Sequence, residues 1–258
     1  MNHTVFNWPS GRMRVRTFVF AGAVLSALWA APAQAMRPFD GTDASVAEAG
    51  VFELELGPLG YVRHGSSRSV VAPAVVGNWG LPGDIEVVIE GRLNRELGEA
   101  SDVDRTSFGD TAFSVKHVFR HGSLQDGGTG VSLAAECGIL LPEIHGEHGT
   151  GATCAGIASQ RFDAVSLHLN AALTRNRDHS DGRSLGLIVE GNGELRPVME
   201  VFAERDTNGG RVNSALVGAI WQKADDLALD VGVRRARADG VALTEVRMGL
   251  TWSYAMHR

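Results

Sequence analysis

Residues 163–174 read Asp-Ala-Val-Ser-Leu-His-Leu-Asn-Ala-Ala-Leu-Thr. Val165, Leu167, Leu169, Ala171 and Leu173 are apolar, and Ser166, His168, Asn170, Ala172 and Thr174 between them are polar or small. A period of two marks a strand with one face in an apolar medium and the other in a polar one. One such strand fits any antiparallel sheet. A dozen of them, roughly 18 to 19 residues apart and behind an export signal, point to an all-β fold, a single closed antiparallel transmembrane β-barrel.

Before this stretch, Phe52, Leu54 and Leu56 alternate with Glu53 and Glu55 in a first strand. A second spans 67–79, ahead of the turn Leu81-Pro82-Gly83-Asp84. A third sets Ile85, Val87, Ile89 and Leu93 against Glu86, Glu90, Arg92, Asn94 and Glu96, and a polar loop follows at 98–107. The fourth, 108–120, opposes Phe113, Val115 and Phe119 to Asp110, Ser114, Lys116 and Arg120. The fifth, 129–142, opposes Val131, Leu133, Ala135, Ile139 and Leu141 to Ser132 and Glu136, and the sixth ends near Phe162.

Beyond the quoted stretch, strands are expected at 184–190, at 195–205 with Glu200 and Glu204 on one face, and at 212–222. In the eleventh, Leu227, Leu229, Val231 and Val233 oppose Asp230, Gly232 and Arg234. In the twelfth, Val246, Met248, Leu250, Trp252 and Tyr254 oppose Glu245, Arg247, Thr251 and Ser253. An even count puts both ends on one side, the periplasmic one, with the turns at 81–84, 162–164, 191–193 and 223–226. The connection at 121–128 is the one long exception on that side.

The chain has 258 residues, 32 Gly, 8 Pro, 44% apolar and 21% charged residues, and no linker divides it. A net charge of −6 gives no reason to expect nucleic acid. Arg12, Arg14 and Arg16 precede an uncharged apolar run over 18–31, and Ala33-Gln34-Ala35 supplies a cleavage pattern. Residues 1–35 thus read as a signal peptide cleaved after Ala35, with Met13 as an alternative start and 36–258 as the barrel domain. The alternative is an uncleaved anchor, for which the run falls short of the roughly 20 residues a span needs. Residues 36–50 are expected as a periplasmic lead-in. Cys137 and Cys154 can pair in an oxidising compartment; two buried free thiols are the other reading, and their spacing fits no metal motif.

Alternation alone does not say which face is inside. A soluble periplasmic ligand-binding β-protein would turn the apolar face inward, and a membrane barrel outward. Strands of about ten to thirteen residues suit a tilted bilayer span and exceed the usual five or six of soluble sheets. Charged faces and aromatics ending the last strand tilt the same way. The expected lumen face carries Glu53, Glu55, Glu86, Glu90, Arg92, Lys116 and Glu136 in the first half. In the second half it carries His168, Asn170, Glu200, Glu204, Asp230, Arg234, Glu245 and Arg247. These line a pore, or they form cross-strand ion pairs that fill a narrow barrel.

Phe108-Gly109-Asp110 followed by Lys116, then His168-Leu169-Asn170, then Glu200 and Glu204, then Asp226-Leu227 leading to Gly232, resemble an outer-membrane transporter family labelled after the meta-pathway of phenol degradation. The resemblance implies a closed barrel in the outer membrane of a Gram-negative bacterium, passing small molecules, hydrophobic or aromatic ones among them. The partners expected are membrane lipid and lipopolysaccharide, the assembly machinery of the outer membrane and a small-molecule permeant, with no cofactor. Arg234, Arg235 and Arg237 could meet lipopolysaccharide phosphates or form an ordinary charged rim. His145 and His148 could bind a metal weakly, a solvated loop being the plainer account. Ser166, His168 and Asn170 share a face, which suggests a barrel lipase as a further alternative. Residues two apart on a strand stand about 7 Å apart, however, and this face turns away from lipid. No other catalytic signature is present, and a non-enzymatic channel is the expectation.

Overall fold

A chain whose two faces sit in different media satisfies its backbone polar groups by pairing sideways, and a sheet surrounded by lipid must close. The computed structural model describes residues 38–97, 106–125, 127–144 and 146–256. The expected signal peptide with its cleavage point, the alternative start at Met13, most of the 98–107 loop and His145 lie outside the described residues.

Among the described residues the strands are β1 (Val51–His64), β2 (Ser67–Leu81), β3 (Ile85–Leu97), β4 (Thr106–Arg120), β5 (Ser132–Leu140) and β6 (Gly151–Arg161). They continue as β7 (Val165–Arg175), β8 (Asp181–Gly191), β9 (Leu195–Asp206), β10 (Arg211–Ala224), β11 (Leu227–Ala238) and β12 (Val241–Ala255). Each pairs antiparallel with its sequence neighbours, and β1 pairs with β12, so the sheet is a closed barrel without an edge. Both chain ends of the barrel lie at one rim, here the terminal end; the opposite rim is the loop end.

The faces are inverted relative to a water-soluble protein. Leu169, Leu173, Leu185, Val217, Leu229 and Val231 are exposed on the outer wall. Glu53, Glu55, Glu86, Lys116, Glu200 and Glu245 are buried inside it. The barrel is therefore of transmembrane type, and the soluble alternative, which needs Leu229 and Val231 in a dry centre, does not hold. Exposed Trp79, Phe119, Phe162, Trp221, Trp252 and Tyr254 gather at the terminal end, where amphipathic rings sit at a membrane interface. The Lys223 ammonium stands 4.7 Å from the Trp221 ring. Among the described residues only Tyr61 and Phe108 occupy the corresponding belt at the loop end.

Cys137 and Cys154 face each other across β5 and β6 with Cα atoms 4.1 Å apart and form a disulfide on the outer wall. After β4, residues 122–125 turn in under the terminal end. Leu124 is buried there, and the Gln125 amide donates to the Ala44 carbonyl at 2.8 Å. That contact introduces the main departure from expectation: the described part of 36–50 is not a lead-in outside the barrel. Residues 38–49 run down the interior toward the terminal end. They leave it against Gly80, where any Cβ would run into the backbone of Ala47 and Glu48, and the Gly50 N–H donates to the Gly80 carbonyl at 2.9 Å.

Candidate permeation pathway

An irregular segment inside a barrel has backbone donors and acceptors that no ladder satisfies, so side chains of the wall must do so. Glu200 accepts from the Asp40 and Gly41 N–H groups, one on each carboxylate oxygen, both at 2.8 Å. Asn170 takes both polar groups of Thr42, accepting from its N–H at 3.0 Å and donating to its carbonyl at 2.8 Å. Ser159 Oγ accepts from the Ala44 N–H at 2.9 Å, and Glu86 accepts from the Ala47 N–H at 2.7 Å. Lys116 Nζ donates to Thr42 Oγ1 at 3.0 Å and lies 3.6 Å from Asp43.

At the segment's upper end Asp40 sits between two arginines, 2.7 Å from Arg234 and 2.6 Å from Arg247. Arg247 also bonds Glu245 at 2.9 Å and the Pro38 carbonyl at 2.6 Å. Gly232 makes room for Pro38, whose Cγ would lie 2.9 Å from an added Cβ. Two apolar islands on the inner wall receive the segment's apolar side chains. Phe39 packs on Val198, Leu216, Ile220 and Ala228. Ala44 and Val46 pack with Val118, Ala134 and Ile157.

The expected lumen residues thus divide by what they touch. Glu86, Lys116, Asn170, Glu200, Arg234 and Arg247 hold the segment. His168 supports it at one remove, its Nδ1 lying 2.9 Å from Ser159 Oγ. Glu53 and Glu55 pair with Ser253 and Asn78 at 2.8 and 3.0 Å, and Glu136 accepts from Ser114. Asp230 and Glu245 are buried in the wall, and Glu204 is half-buried near the loop end. Glu90 and Arg92 face open space above the segment. Sequence reasoning missed Ser159, Gln125, Glu190 and Arg196. The last two form an inner pair at 3.0 Å, with His168 Nε2 at 3.7 Å from Glu190. Ser166 does not meet His168; its hydroxyl donates to Asn192 at 3.2 Å. The hydroxyl that does meet the imidazole, Ser159, already accepts from Ala44 deep in the barrel. Arg235 and Arg237 face outward while Arg234 faces in toward Asp40, so the three do not form one rim site.

Above the segment the lumen opens into a cavity of about 380 Å³ at the loop end. One wall is small and apolar, with Gly57, Gly60, Val71, Ala74 and Val76. The pairing is interrupted at one height there, between Leu56 and Leu59, Val71 and Ala74, and Glu90 and Arg92, and such bulges bend the wall. The other wall is charged: Arg92 pairs with Asp110 at 2.6 Å, and Glu245 and Arg247 close the floor. Arg177, from the turn after β7, leans in and donates to the carbonyls of Leu141 and Thr111, both at 2.8 Å. In the same turn Asp178 accepts from the Ser180 hydroxyl and N–H, which hold its carboxyl below the ordinary carboxylate range.

Fold and site together define a transmembrane-type barrel whose charged interior is partly filled by its own N-terminal segment. Among solved structures the chain is similar to the KdgM porin in complex with disordered oligogalacturonate, at 12% identity and a TM-score of 0.50 over 78% of this chain and 99% of that one. It is also similar to the NanC porin, at 8% identity and a TM-score of 0.55 over 78% of this chain and 98% of that one. The likeness is one of fold, the closed antiparallel barrel of outer-membrane porins. Neither a protein-family model nor a curated protein matches the chain.

Proposed function

We propose that this chain is a channel in the outer membrane of a Gram-negative bacterium, reached by way of a cleaved signal peptide and the outer-membrane assembly machinery. Small molecules enter the loop-end cavity and pass when residues 38–49 leave their seat. The observation that carries this reading is a polar, segment-filled interior enclosed by a wall that is apolar on the outside. The terminal end is then periplasmic and the loop end external. A cavity of about 380 Å³ is of the size that holds a small ligand. Its apolar wall facing a charged one suits molecules with both characters, and the resemblance to the phenol-pathway family supports aromatic compounds among them.

Single-channel recording tests the proposal. Conducting steps are expected in planar bilayers. Glu90 borders the cavity without a hydrogen bond or ion pair among the described residues, so Glu90→Lys should shift selectivity toward anions. Traces as flat as those of protein-free bilayers, from the full chain and from one lacking residues 38–49 alike, would overturn the channel reading.

A further inference from the structure

The outer wall at the loop end carries a row of charge that the barrel itself does not explain. Arg183 on β8 is the cross-strand partner of Arg205 on β9, and Arg205 is the partner of Arg211 on β10. All three are exposed on the outer face. Like charges placed directly opposite each other destabilise a sheet, yet none of the three guanidinium groups has a hydrogen bond or ion pair among the described residues. Nearby acids are engaged elsewhere. Asp181 pairs with Arg175 at 2.8 Å, Asp206 accepts from the Gly210 N–H at 2.9 Å, and Asp239 accepts from the Arg211 backbone N–H at 2.7 Å. The three arginines border an open groove of about 500 Å³ that also includes Leu173 and Thr207. Arg235 and Arg237 continue the charge on the same face of the next strand.

Toward the middle of the wall the same face turns apolar. Leu185, Val201 and Val217 are exposed there, and Leu173, level with Arg183 as its cross-strand partner on β7, is 71% exposed. Anion-binding groups thus stand one row above a surface that fits acyl chains. The two rims also differ, since the terminal end is ringed by aromatics and the loop end by arginines, as a bilayer with an anionic leaflet on one side only would require. We propose that the Arg183–Arg205–Arg211 row is a binding site for a phosphorylated glycolipid of the outer leaflet. Its headgroup phosphates take the guanidinium groups in paired hydrogen bonds, and its acyl chains lie along Leu173, Leu185 and Val201. The site rests on the outer-membrane reading, because it needs the loop end in the outer leaflet.

Native mass spectrometry of the detergent-solubilised full chain tests it, with bisphosphorylated lipid A, dephosphorylated lipid A and phosphatidylethanolamine as probes. The bisphosphorylated lipid is expected to bind about tenfold more tightly to the wild type than to a variant carrying Arg183→Gln, Arg205→Gln and Arg211→Gln, with the other two probes showing no such difference. Arg161→Gln, at the terminal end, should leave binding unchanged. Arg205→Gln alone should weaken binding severalfold, which keeps the test open if the triple variant does not fold. Equal binding by wild type and variants, or no preference for the phosphorylated lipid, overturns the site. So does full displacement of the lipid by millimolar inorganic phosphate. Conductance recorded from the same preparations and from a chain lacking residues 38–49 separates the two proposals: steps without lipid discrimination sink the lipid site alone, and lipid discrimination without steps from any of them sinks the channel.

Discussion

Both carboxylate oxygens of Glu200 are spent on the backbone of the inner segment, and the side chain is 1% exposed. Hydrogen bonds to a charged group contribute about 1.5–3 kcal/mol. Glu200→Gln keeps the shape but turns an amide NH2 toward a backbone donor, so one of the two bonds is lost and the other weakened. Release of residues 38–49 should then become roughly ten to a hundred times more frequent. Open probability in single-channel recordings checks this, with dwell times rather than step size expected to change. An unchanged open probability would mean that Glu200 does not hold the gate. Around it Asn170, Glu86 and Lys116 act by the same logic, each matched to one exposed backbone or side-chain group of the segment.

At the scale of elements, the β5–β6 pair carries the disulfide on its outer wall and the seat of Ala44 on its inner wall, through Ala134, Ile157 and Ser159. The bond closes a sequence separation of 17 residues. In the chain-entropy account such a cross-link contributes about 3 kcal/mol through the unfolded state. Cys137→Ala with Cys154→Ala should therefore lower the temperature at which the folded band is lost on electrophoresis, while the flanking ladders keep the barrel closed. An unchanged midpoint would mean that the bond adds nothing to stability.

The strands themselves were legible because period-two alternation is local: β7, β11 and β12 can be read from their own residues. The inner segment was not. Its bonds to the wall span separations of 39 to 209 residues, as from Ala47 to Glu86 and from Pro38 to Arg247, and no local pattern encodes them. One signal was available. Leu216 and Ile220 are apolar on a face that should be polar, as is Ile188, and apolar groups inside a charged lumen need something to pack against. Of the residues that carry the family resemblance, Lys116, His168, Asn170, Glu200 and Gly232 sit at or directly behind the segment's seat, whereas Phe108, Gly109, Asp110, Glu204 and Asp226 do not. The arginine row was hidden for a related reason, since only cross-strand register brings positions 183, 205 and 211 together.

At the scale of the whole molecule, closure of the sheet removes every edge, the apolar outer wall fits lipid, and the interior is divided between a plugged lower part and an open upper cavity. Strand pairing closes the barrel without residues 38–49, and the proposed function has the segment leave without unfolding its container. On the proposed function, conduction is governed by one short piece of chain. The most direct test compares the full chain with a variant lacking residues 38–49, each recorded as single channels in the same bilayer and salt. The deletion is expected to give larger and steadier conductance steps, because the lower lumen is emptied while the wall is kept. Identical step sizes and open times for the two would contradict the account.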